Sequence, residues 1–293
     1  MKVTSFGEVL WDDFPSGKVL GGAPLNVLVR LRSLGANCSI ISARGDDPDG
    51  EELQRQIEDH QVSTELLQLC KEQATSLVKV NVNDCGVATY DIVYPCAWDR
   101  IEFQEKALQE VAESDAFIFG SLGTRDDFSR ATLDKLLLEA KFKIFDVNLR
   151  PPYYSYERLL EMMKVSDMIK LNDDELYELA EAYGSKHRGI EQNIRYLAEL
   201  TGVKKICVTL GGHGALFFTD NTLHHHGGFR VKVADTVGSG DSFLAGLTYK
   251  VLNGAPPNEA LNFACALGAM VASHRGATPK ISMQEIHDFI NPV

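Results

Sequence analysis

The chain has 293 residues, of which 44% are hydrophobic and 24% are charged, a composition typical of globular proteins that excludes disordered and fibrous classes. Its 29 basic residues against 41 acidic ones give a formal net charge of −12 at pH 7. An acidic surface repels phosphate backbones and anionic lipids, so we expect neither nucleic acid nor a membrane as the main partner.

Short apolar runs alternate with amphipathic segments along most of the chain. The apolar runs predict strands over 3–6, 38–42, 116–120, 143–147, 168–171, 206–210 and 215–218. The segments between many of these runs predict helices over 23–34, 49–59, 127–140, 156–165, 173–183 and 190–200. The sequence therefore predicts an α/β fold in which a mainly parallel sheet carries helices on both faces.

Two regions break this alternation, because neither has a helix between its apolar runs. Residues 75–95 contain two strand-like runs around 83–86, and residues 10–20 form a similar pair around 15–17. We expect these regions to form a small antiparallel sheet that projects from the α/β core. From about residue 240 onward the sequence predicts almost only helix.

The expected small sheet carries apolar residues on its outward faces, which would need a cover. These residues are Val78, Val80, Val82, Tyr90 and Ile92. Exposed apolar strands are prone to unwanted pairing, so a homodimer formed through the small sheet is one expected solution. A closed acceptor site could bury part of the same surface.

The sharpest local signal is the segment ADTVGSGDSF at residues 234–243. A strand-like run over 229–233 enters a Gly-Ser-Gly turn, and a helical pattern follows at once. Such a turn directs several N–H groups one way at a helix N-terminus, where the helix dipole favours an anion. Asp241 falls in the first helical turn, either as a helix cap or as a base beside an anion site, and spacing alone does not separate the two.

A second glycine-rich turn, LGGAPLN at residues 20–26, leads into the first predicted helix. Asn26 offers two donors and one acceptor on a rigid first turn. A plain loop-to-helix entry is the alternative. The sequence contains no Walker P-loop, no complete dinucleotide fingerprint, no Gly-x-Ser-x-Gly elbow and no His-Glu-x-x-His pair.

The two glycine-rich motifs, in this order, resemble the ribokinase family of sugar kinases, also called the phosphofructokinase-B superfamily, over nearly the whole chain. Two further segments are similar to family motifs: KLNDDE at 170–175 resembles Asn-x-x-Glu, and VTLGGHG at 208–214 resembles a nucleotide-contacting turn. The resemblance implies a three-layer α/β sandwich of about nine strands. It also implies one domain over 1–293, with a small β lid formed by about 10–20 and 75–98.

Within that family, GEVLWD at 7–12 and FDVNLRP at 145–151 are most similar to fructokinases. The resemblance therefore implies a carbohydrate kinase that transfers the γ-phosphoryl group of ATP to fructose and forms fructose 6-phosphate. The alternatives are a kinase for 2-keto-3-deoxygluconate or another sugar, and a non-catalytic sugar-binding protein on the same fold.

The resemblance also implies a role for each matching residue. Asp241 would be the catalytic base, with anion-hole amides from Gly238, Ser239 and Gly240. The acceptor sugar would contact Asp12, Gly21, Gly22, Asn26, Asn148 and Arg150. The nucleotide would contact Lys170, Asn172, Thr209, Gly211, Gly214 and Cys265, and Glu175 would reach the metal through water.

ATP and Mg²⁺ are the implied cofactors, and K⁺ is a further one against which a departure from the family pattern speaks. Potassium-dependent members of the family often place a small hydroxyl residue after a Gly-Ala-x-Pro turn, where this chain has Lys280. A lysine ammonium there could occupy the site of a monovalent cation or repel the ion. The N-terminal segment lacks the apolar core of a signal peptide, so we expect a cytoplasmic protein.

Several other residues have two interpretations at this point. Trp11 and Trp98 either contact the sugar or pack in the core of the lid. Arg150 either faces a charged ligand or forms a surface ion pair, and Asn148 is either a sugar ligand or a polar strand end. Three consecutive histidines at 224–226 predict a solvated hairpin, since neighbouring strand residues point to opposite faces.

Overall fold

The computed structural model describes residues 1–14, 17–82 and 88–292, with backbone alone at 80–82 and 88–90. The strands are β1 Lys2–Phe6, β2 Leu10–Phe14, β3 Gly17–Gly21, β4 Asn37–Gly45, β5 Leu67–Cys70, β6 Leu77–Val82, β7 Ala88–Ile92, β8 Ala116–Gly120, β9 Lys143–Asp146, β10 Met168–Asn172, β11 Lys205–Thr209, β12 Ala215–Thr219 and β13 Thr222–His226. The helices are α1 Ala23–Ser33, α2 Pro48–Asp59, α3 Glu105–Glu113, α4 Asp127–Leu137, α5 Tyr156–Val165, α6 Asp173–Ala182, α7 Ile190–Thr201, α8 Ser239–Leu252, α9 Pro257–Ala272 and α10 Met283–Ile290.

A nine-stranded sheet in the order β13-β12-β11-β10-β9-β8-β1-β4-β5 forms the centre of the molecule. From β11 to β5 every neighbouring pair is parallel, as between Val3 and Ala116, whereas β12 and β13 run antiparallel at one edge. Parallel strands need crossover helices, which explains the alternation seen in the sequence. The prediction of a mainly parallel sheet is confirmed.

Helices cover both faces of this sheet, because successive strand side chains point to opposite sides. Phe117 and Phe119 belong to a core shared with α3 to α7, whereas Ala116 and Ile118 belong to one shared with α1, α2, α8 and α9. Burying one phenylalanine or leucine side chain completely stabilises the fold by about 1.5–3 kcal/mol. Two apolar cores on either side of one sheet give the three layers.

The small sheet has four strands in the order β3-β2-β6-β7. Its two outer pairs are antiparallel as predicted, but the central pair of β2 and β6 is parallel. The prediction of a purely antiparallel sheet is therefore wrong, because each hairpin contributes its first strand to the middle of the sheet and both first strands run the same way. The predicted turns around 15–17 and 83–86 lie largely outside the described residues.

The structure differs from the sequence prediction in a few further segments. Residues 229–233 form no strand; after the positive φ of 78° at Gly228 they leave the sheet edge as an irregular segment. The chain also contains β5 and α3, which the periodicity did not single out. The three histidines lie on β13, the edge strand of an antiparallel hairpin, and none of the described helices is long and apolar enough to cross a membrane.

Candidate active site

A cavity of about 510 Å³ opens at the carboxyl ends of the central strands, beneath the small sheet. Its lining includes residues that follow β1 and β9, residues in the carboxyl-terminal parts of β10 and β11, and the first turns of α1 and α8. Ligands of open α/β sheets bind at this end of the strands. Val78 of β6 and Ile92 of β7 line the cavity from the small sheet and are buried there, so these two apolar side chains already have a cover within the chain.

The N-terminus of α8 forms one wall of the cavity, because Gly238 turns the chain sharply with φ 72°. A Cβ on Gly238 would lie 2.5 Å from the Ala277 Cα, so only glycine fits this turn. The first N–H that bonds within this turn of α8 is that of Ser242, which donates to the Gly238 carbonyl at 2.8 Å. The N–H groups of Gly240 and Asp241 precede it and have no partner inside the helix, which suits them to bind an anion.

Ser239 contributes less to this wall than the sequence suggests. Its N–H donates to the Thr236 carbonyl at 3.2 Å, and its hydroxyl donates to the Gly268 carbonyl at 3.0 Å. Both groups therefore hold the turn together, while Gly238 and Gly240 line the cavity directly.

Asp241 points into the cavity from the first turn of α8. Its Oδ2 accepts a hydrogen bond of 2.8 Å from Asn26 Nδ2 at the start of α1, and no N–H of α8 donates to the carboxylate in the described structure. The helix-cap interpretation of Asp241 is therefore not the arrangement observed. Burial and the nearby Asp146 carboxylate raise the pKa of Asp241 to about 6, so the group is mostly ionised at neutral pH.

Most of the residues predicted to bind the acceptor line the same cavity. Asp12 on β2, Gly22 and Asn26 at the start of α1, and Asn148 and Arg150 after β9 all line the cavity. Gly21 does not line it. Burial raises the pKa of Asp12 to about 6, although the positive charge of Arg150 lowers it in part.

Arg150 reaches the cavity from the segment that follows β9. It donates from Nη1 to the Leu149 carbonyl at 2.9 Å. It forms no ion pair with any carboxylate that the structure describes. The surface-ion-pair alternative for Arg150 is therefore not observed.

Glu8 also lines the cavity, and the sequence analysis assigned it no role. The side chain is only 3% exposed, and its Oε2 has no hydrogen-bond partner among the described residues. Burial raises the pKa of Glu8 to about 7. Its position in the sequence could have indicated a role in the site. Glu8 follows Gly7 just after the first strand ends, and it lies four residues before Asp12.

A buried ion pair joins the end of β9 to the middle of β10. Lys170 Nζ lies 3.0 Å from Asp146 Oδ1, and Asp146 Oδ2 has no partner in the described structure. Burial alone would lower the pKa of Lys170, but the charges of Asp146 and Glu175 outweigh it, so the pKa is raised and the ammonium persists. Lys170 and Asn172 line the 510 Å³ cavity, where they can contact a phosphate.

Glu175 lies behind these residues. It lines neither this cavity nor the smaller, more apolar one described next. Its two carboxylate oxygens accept 2.8 Å hydrogen bonds from the N–H groups of Leu149 and Asn172, while the Asn172 side chain caps α6 in return. This capping box fixes the segment after β9 to the start of α6. Glu175 therefore orders the residues around the site.

A second, more apolar cavity of about 280 Å³ joins the first at Thr209, Thr236 and Gly240. The predicted nucleotide residues Thr209, Gly211, Gly214 and Cys265 all line it, with Phe243 and Ala269 on the helical side. Part of its outer wall comes from the segment 229–233, which was predicted to be a strand. Burial raises the pKa of the Cys265 thiol to about 12, so that this side chain presents an uncharged surface.

The donors present fit Mg²⁺ only as an ion held mainly by a ligand. The described residues contain no group of three His, Cys, Asp or Glu side chains that could hold a metal alone. Mg²⁺ commonly takes one or two carboxylates, several waters and substrate phosphates. Asp146, with its unpartnered Oδ2, and Glu175 line neither cavity, so they could take part in such an arrangement only through water.

The residues around the 276–280 loop do not fit K⁺. The Pro279 carbonyl accepts a 2.8 Å hydrogen bond from Arg30 Nη2, and Lys280 follows it. The two oxygens of Asp235 accept N–H groups from Val237 and Gly276. A carbonyl beside a guanidinium is a poor ligand for another cation, because the two positive charges repel.

The tryptophans take no part in either cavity. Trp11 is buried and donates from Nε1 to the Asp49 carbonyl at 3.0 Å. Trp98 is fully buried in the main core, with the Arg125 guanidinium carbon 4.0 Å from its ring centroid. Trp98 therefore belongs neither to the sugar site nor to the small sheet.

Comparison with known proteins shows to which family the chain is similar. The model of the pfkB family carbohydrate kinases matches residues 12–283. Aminoimidazole riboside kinase of Salmonella typhimurium is 30% identical over 275 residues, covering 89% of this chain and 84% of the relative. Fructokinase-2 of Solanum lycopersicum is 30% identical over 308 residues, covering 95% and 92%.

A solved structure gives the same result at the level of the fold. A fructokinase double mutant from Vibrio cholerae O395, with fructose, ADP and potassium ion bound, superposes with a TM-score of 0.83 at 25% identity and covers 99% of this chain and 98% of its own. The family model, the two relatives and this superposition all extend over nearly the full length. The chain therefore belongs to the pfkB family of carbohydrate kinases.

Proposed function

We propose that this carbohydrate kinase transfers the γ-phosphoryl group of ATP to a hydroxyl of a neutral sugar, with fructose as acceptor and fructose 6-phosphate as product. One observation carries the proposal: the polar cavity and the apolar cavity meet at the N-terminus of α8, next to Asp241. A sugar in the first and an adenine in the second would bring acceptor and phosphate together at the anion-binding turn.

Asp241 is the residue suited to remove the proton from the acceptor hydroxyl. Its carboxylate is ionised at neutral pH, and the Asn26 amide holds one of its oxygens in place. A positioned base of this kind contributes roughly 10²–10⁴-fold to the rate. The remaining carboxylate oxygen can accept a hydrogen bond from the sugar and receive its proton as the phosphoryl group moves.

The groups around the turn are suited to stabilise the charge on the phosphoryl oxygens. The N–H groups of Gly240 and Asp241 point from the helix N-terminus, and the Lys170 ammonium lines the same cavity. Phosphoryl transfer depends mainly on positioning and charge neutralisation. Mg²⁺ bound to the phosphates would add neutralising charge, with Asp146 and Glu175 as its outer-shell partners.

The charges of the cavity favour a neutral acceptor. Glu8, Asp12 and Asp241 line the cavity together with two cations, Arg150 and Lys170, and Lys170 is already paired with Asp146. Carboxylates accept hydrogen bonds from sugar hydroxyls, whereas they repel the carboxylate of a sugar acid. These groups support fructose over 2-keto-3-deoxygluconate, unless Arg150 holds the acid.

A riboside is a second candidate acceptor, because one side of the cavity is apolar. Leu10, Val78, Ile92 and Leu122 line it together, and such a surface could pack against a small heterocyclic base. The similarity to a relative named aminoimidazole riboside kinase supports the same candidate. A non-catalytic sugar-binding protein would have no need for a correctly placed Asp241.

The decisive experiment measures ADP release with ATP and a panel of acceptors: fructose, other neutral sugars, 2-keto-3-deoxygluconate and ribosides. We expect fructose to give the highest kcat/KM. Asp241→Asn should lower kcat by roughly 10²–10⁴-fold and leave ATP affinity within a few-fold. If the enzyme acts only on the keto-deoxy acid and Arg150→Ala abolishes that activity, the acceptor is the acid and not fructose. If Asp241→Asn leaves kcat unchanged, Asp241 is not the catalytic base.

A further inference from the structure

Helix α1 contains a buried arginine that the reaction described above does not use. Arg30 lies one helical turn beyond Asn26 and is 2% exposed. Its Nε donates to the Ser242 hydroxyl at 3.3 Å, and its Nη2 donates to the Pro279 carbonyl at 2.8 Å. One guanidinium thus joins α1, α8 and the loop that precedes α10.

No carboxylate in the described part of the chain forms an ion pair with Arg30. Burial lowers the pKa of Arg30 to about 10, which leaves the guanidinium charged at neutral pH. A buried charge without a partner of opposite sign is unfavourable for folding. The hydrogen bonds of Arg30 to Ser242 and Pro279 therefore call for an explanation beyond packing.

The two acceptors of Arg30 belong to the segments that hold the catalytic turn. Ser242 directly follows Asp241 in α8. Pro279 belongs to the loop whose Ala277 packs against Gly238, with no room for even a Cβ between them. The same loop donates the Gly276 N–H to Asp235 at 3.1 Å, and Asp235 accepts the Val237 N–H at 3.0 Å.

We propose that Arg30 is a built-in cation that positions the catalytic turn, fixing the 276–280 loop against the first turn of α8 and thereby orienting Asp241. This inference rests on the proposed function for its effect on the rate. A guanidinium held by α1 supplies a permanent positive charge where a mobile monovalent ion would otherwise have to bind carbonyl oxygens. The turn is therefore ordered in the absence of K⁺.

The first test compares Arg30→Met with Arg32→Met. Arg32 lies on the same helix but bonds the Ala36 carbonyl and Gln61, away from α8. Arg30→Met should lower kcat by roughly ten- to a hundredfold, because small misplacements of reacting groups cost that much, with both KM values nearly unchanged. Arg32→Met should match the wild type. Wild-type kcat in a folded Arg30→Met enzyme would overturn the proposal.

Arg30→Lys covers the case in which the methionine variant does not fold. Lysine keeps the charge but presents a single point of contact, so kcat should fall between those of the wild type and Arg30→Met. Wild-type kcat in this variant would show that bridging two acceptors is unnecessary. The wild-type enzyme itself should keep its kcat when all K⁺ and Na⁺ are replaced by tetramethylammonium. A strict requirement for K⁺ would overturn the proposal that Arg30 is a built-in cation.

Hydrogen exchange provides a measurement that does not depend on catalysis. Peptides covering 234–242 and 276–282 should exchange faster in Arg30→Met or Arg30→Lys than in the wild type, because the bonds that tie them together are weakened. Unchanged exchange in both peptides would refute the positioning role. If the wild type releases no ADP with any acceptor, the proposed function fails, and the exchange result still decides the structural claim.

Discussion

Replacing Glu8 by glutamine tests whether the cavity beneath the small sheet opposes ionisation of its carboxyl groups. Glu8 is 3% exposed, and burial raises its pKa from 4.5 to about 7. At about 1.4 kcal/mol for each pKa unit, this rise corresponds to about 3 kcal/mol of unfavourable free energy once the folded group is ionised. Glutamine has nearly the same shape and cannot ionise.

The sign of the pH dependence follows from the folded pKa lying above the unfolded one. Folding then binds protons at Glu8, so the stability that this group contributes is fully present below about pH 4.5 and is lost as the pH rises through about 7. Glu8→Gln should therefore gain about 2–3 kcal/mol relative to the wild type between pH 5 and pH 8. Losses that do not depend on pH cancel in this difference.

Urea unfolding followed by circular dichroism at pH 5 and pH 8 measures the effect. The exposed Glu139 provides the control, because Glu139→Gln removes a negative charge from the surface and should give no such difference. An equal stability change for Glu8→Gln at both pH values would refute the reasoning. It would mean that Glu8 is solvated, or that a cation pairs with it once it ionises.

Three further predictions concern the acceptor, the base and the assembly. Asp12→Ala should raise the KM for the sugar by roughly ten- to a hundredfold, at about 1.4 kcal/mol per tenfold, and leave the KM for ATP nearly unchanged. Asp13 lies on the opposite face of the strand, so Asp13→Ala should leave both KM values unchanged. The acid limb of kcat should lie near pH 6, where Asp241 becomes protonated, and a limb near pH 4 would contradict its raised pKa. Sedimentation at micromolar concentration should show a homodimer formed through the small sheet, and a monomer would exclude it.

The fold was largely predictable because its strands and helices have clear and different periodicities. Helix α5 was predicted at its observed limits, and α1 and α2 within one residue. The run over 229–233 misled the prediction, since its apolar residues alternate as in a strand but line the second cavity instead. Local alternation shows that one face is buried, and it does not show against what.

The motifs located the candidate site, but they did not single out charged residues buried in or beside it, among them Arg30 and Glu8. Arg30 and Arg32 look alike in the sequence VRLRS, and only the packing of α1 on α8, more than 200 residues away in the chain, makes one buried and leaves the other half-exposed. Glu8 is similar, since its environment comes from distant segments. Burial of a charge is a tertiary property, which a pattern of neighbouring residues does not encode.

The division of the larger cavity between two parts of the chain separates recognition from reaction. Its upper wall comes largely from residues 8–23 and from Val78 and Ile92, whereas Asn26, which holds Asp241, belongs with the turn at 236–241 that meets the phosphate. Substitutions in the first group can reshape the space for the acceptor without displacing the helix end. A lineage or an engineer can therefore exchange one acceptor for another by changing a short N-terminal stretch and one hairpin, while the phosphoryl-transfer apparatus is inherited intact.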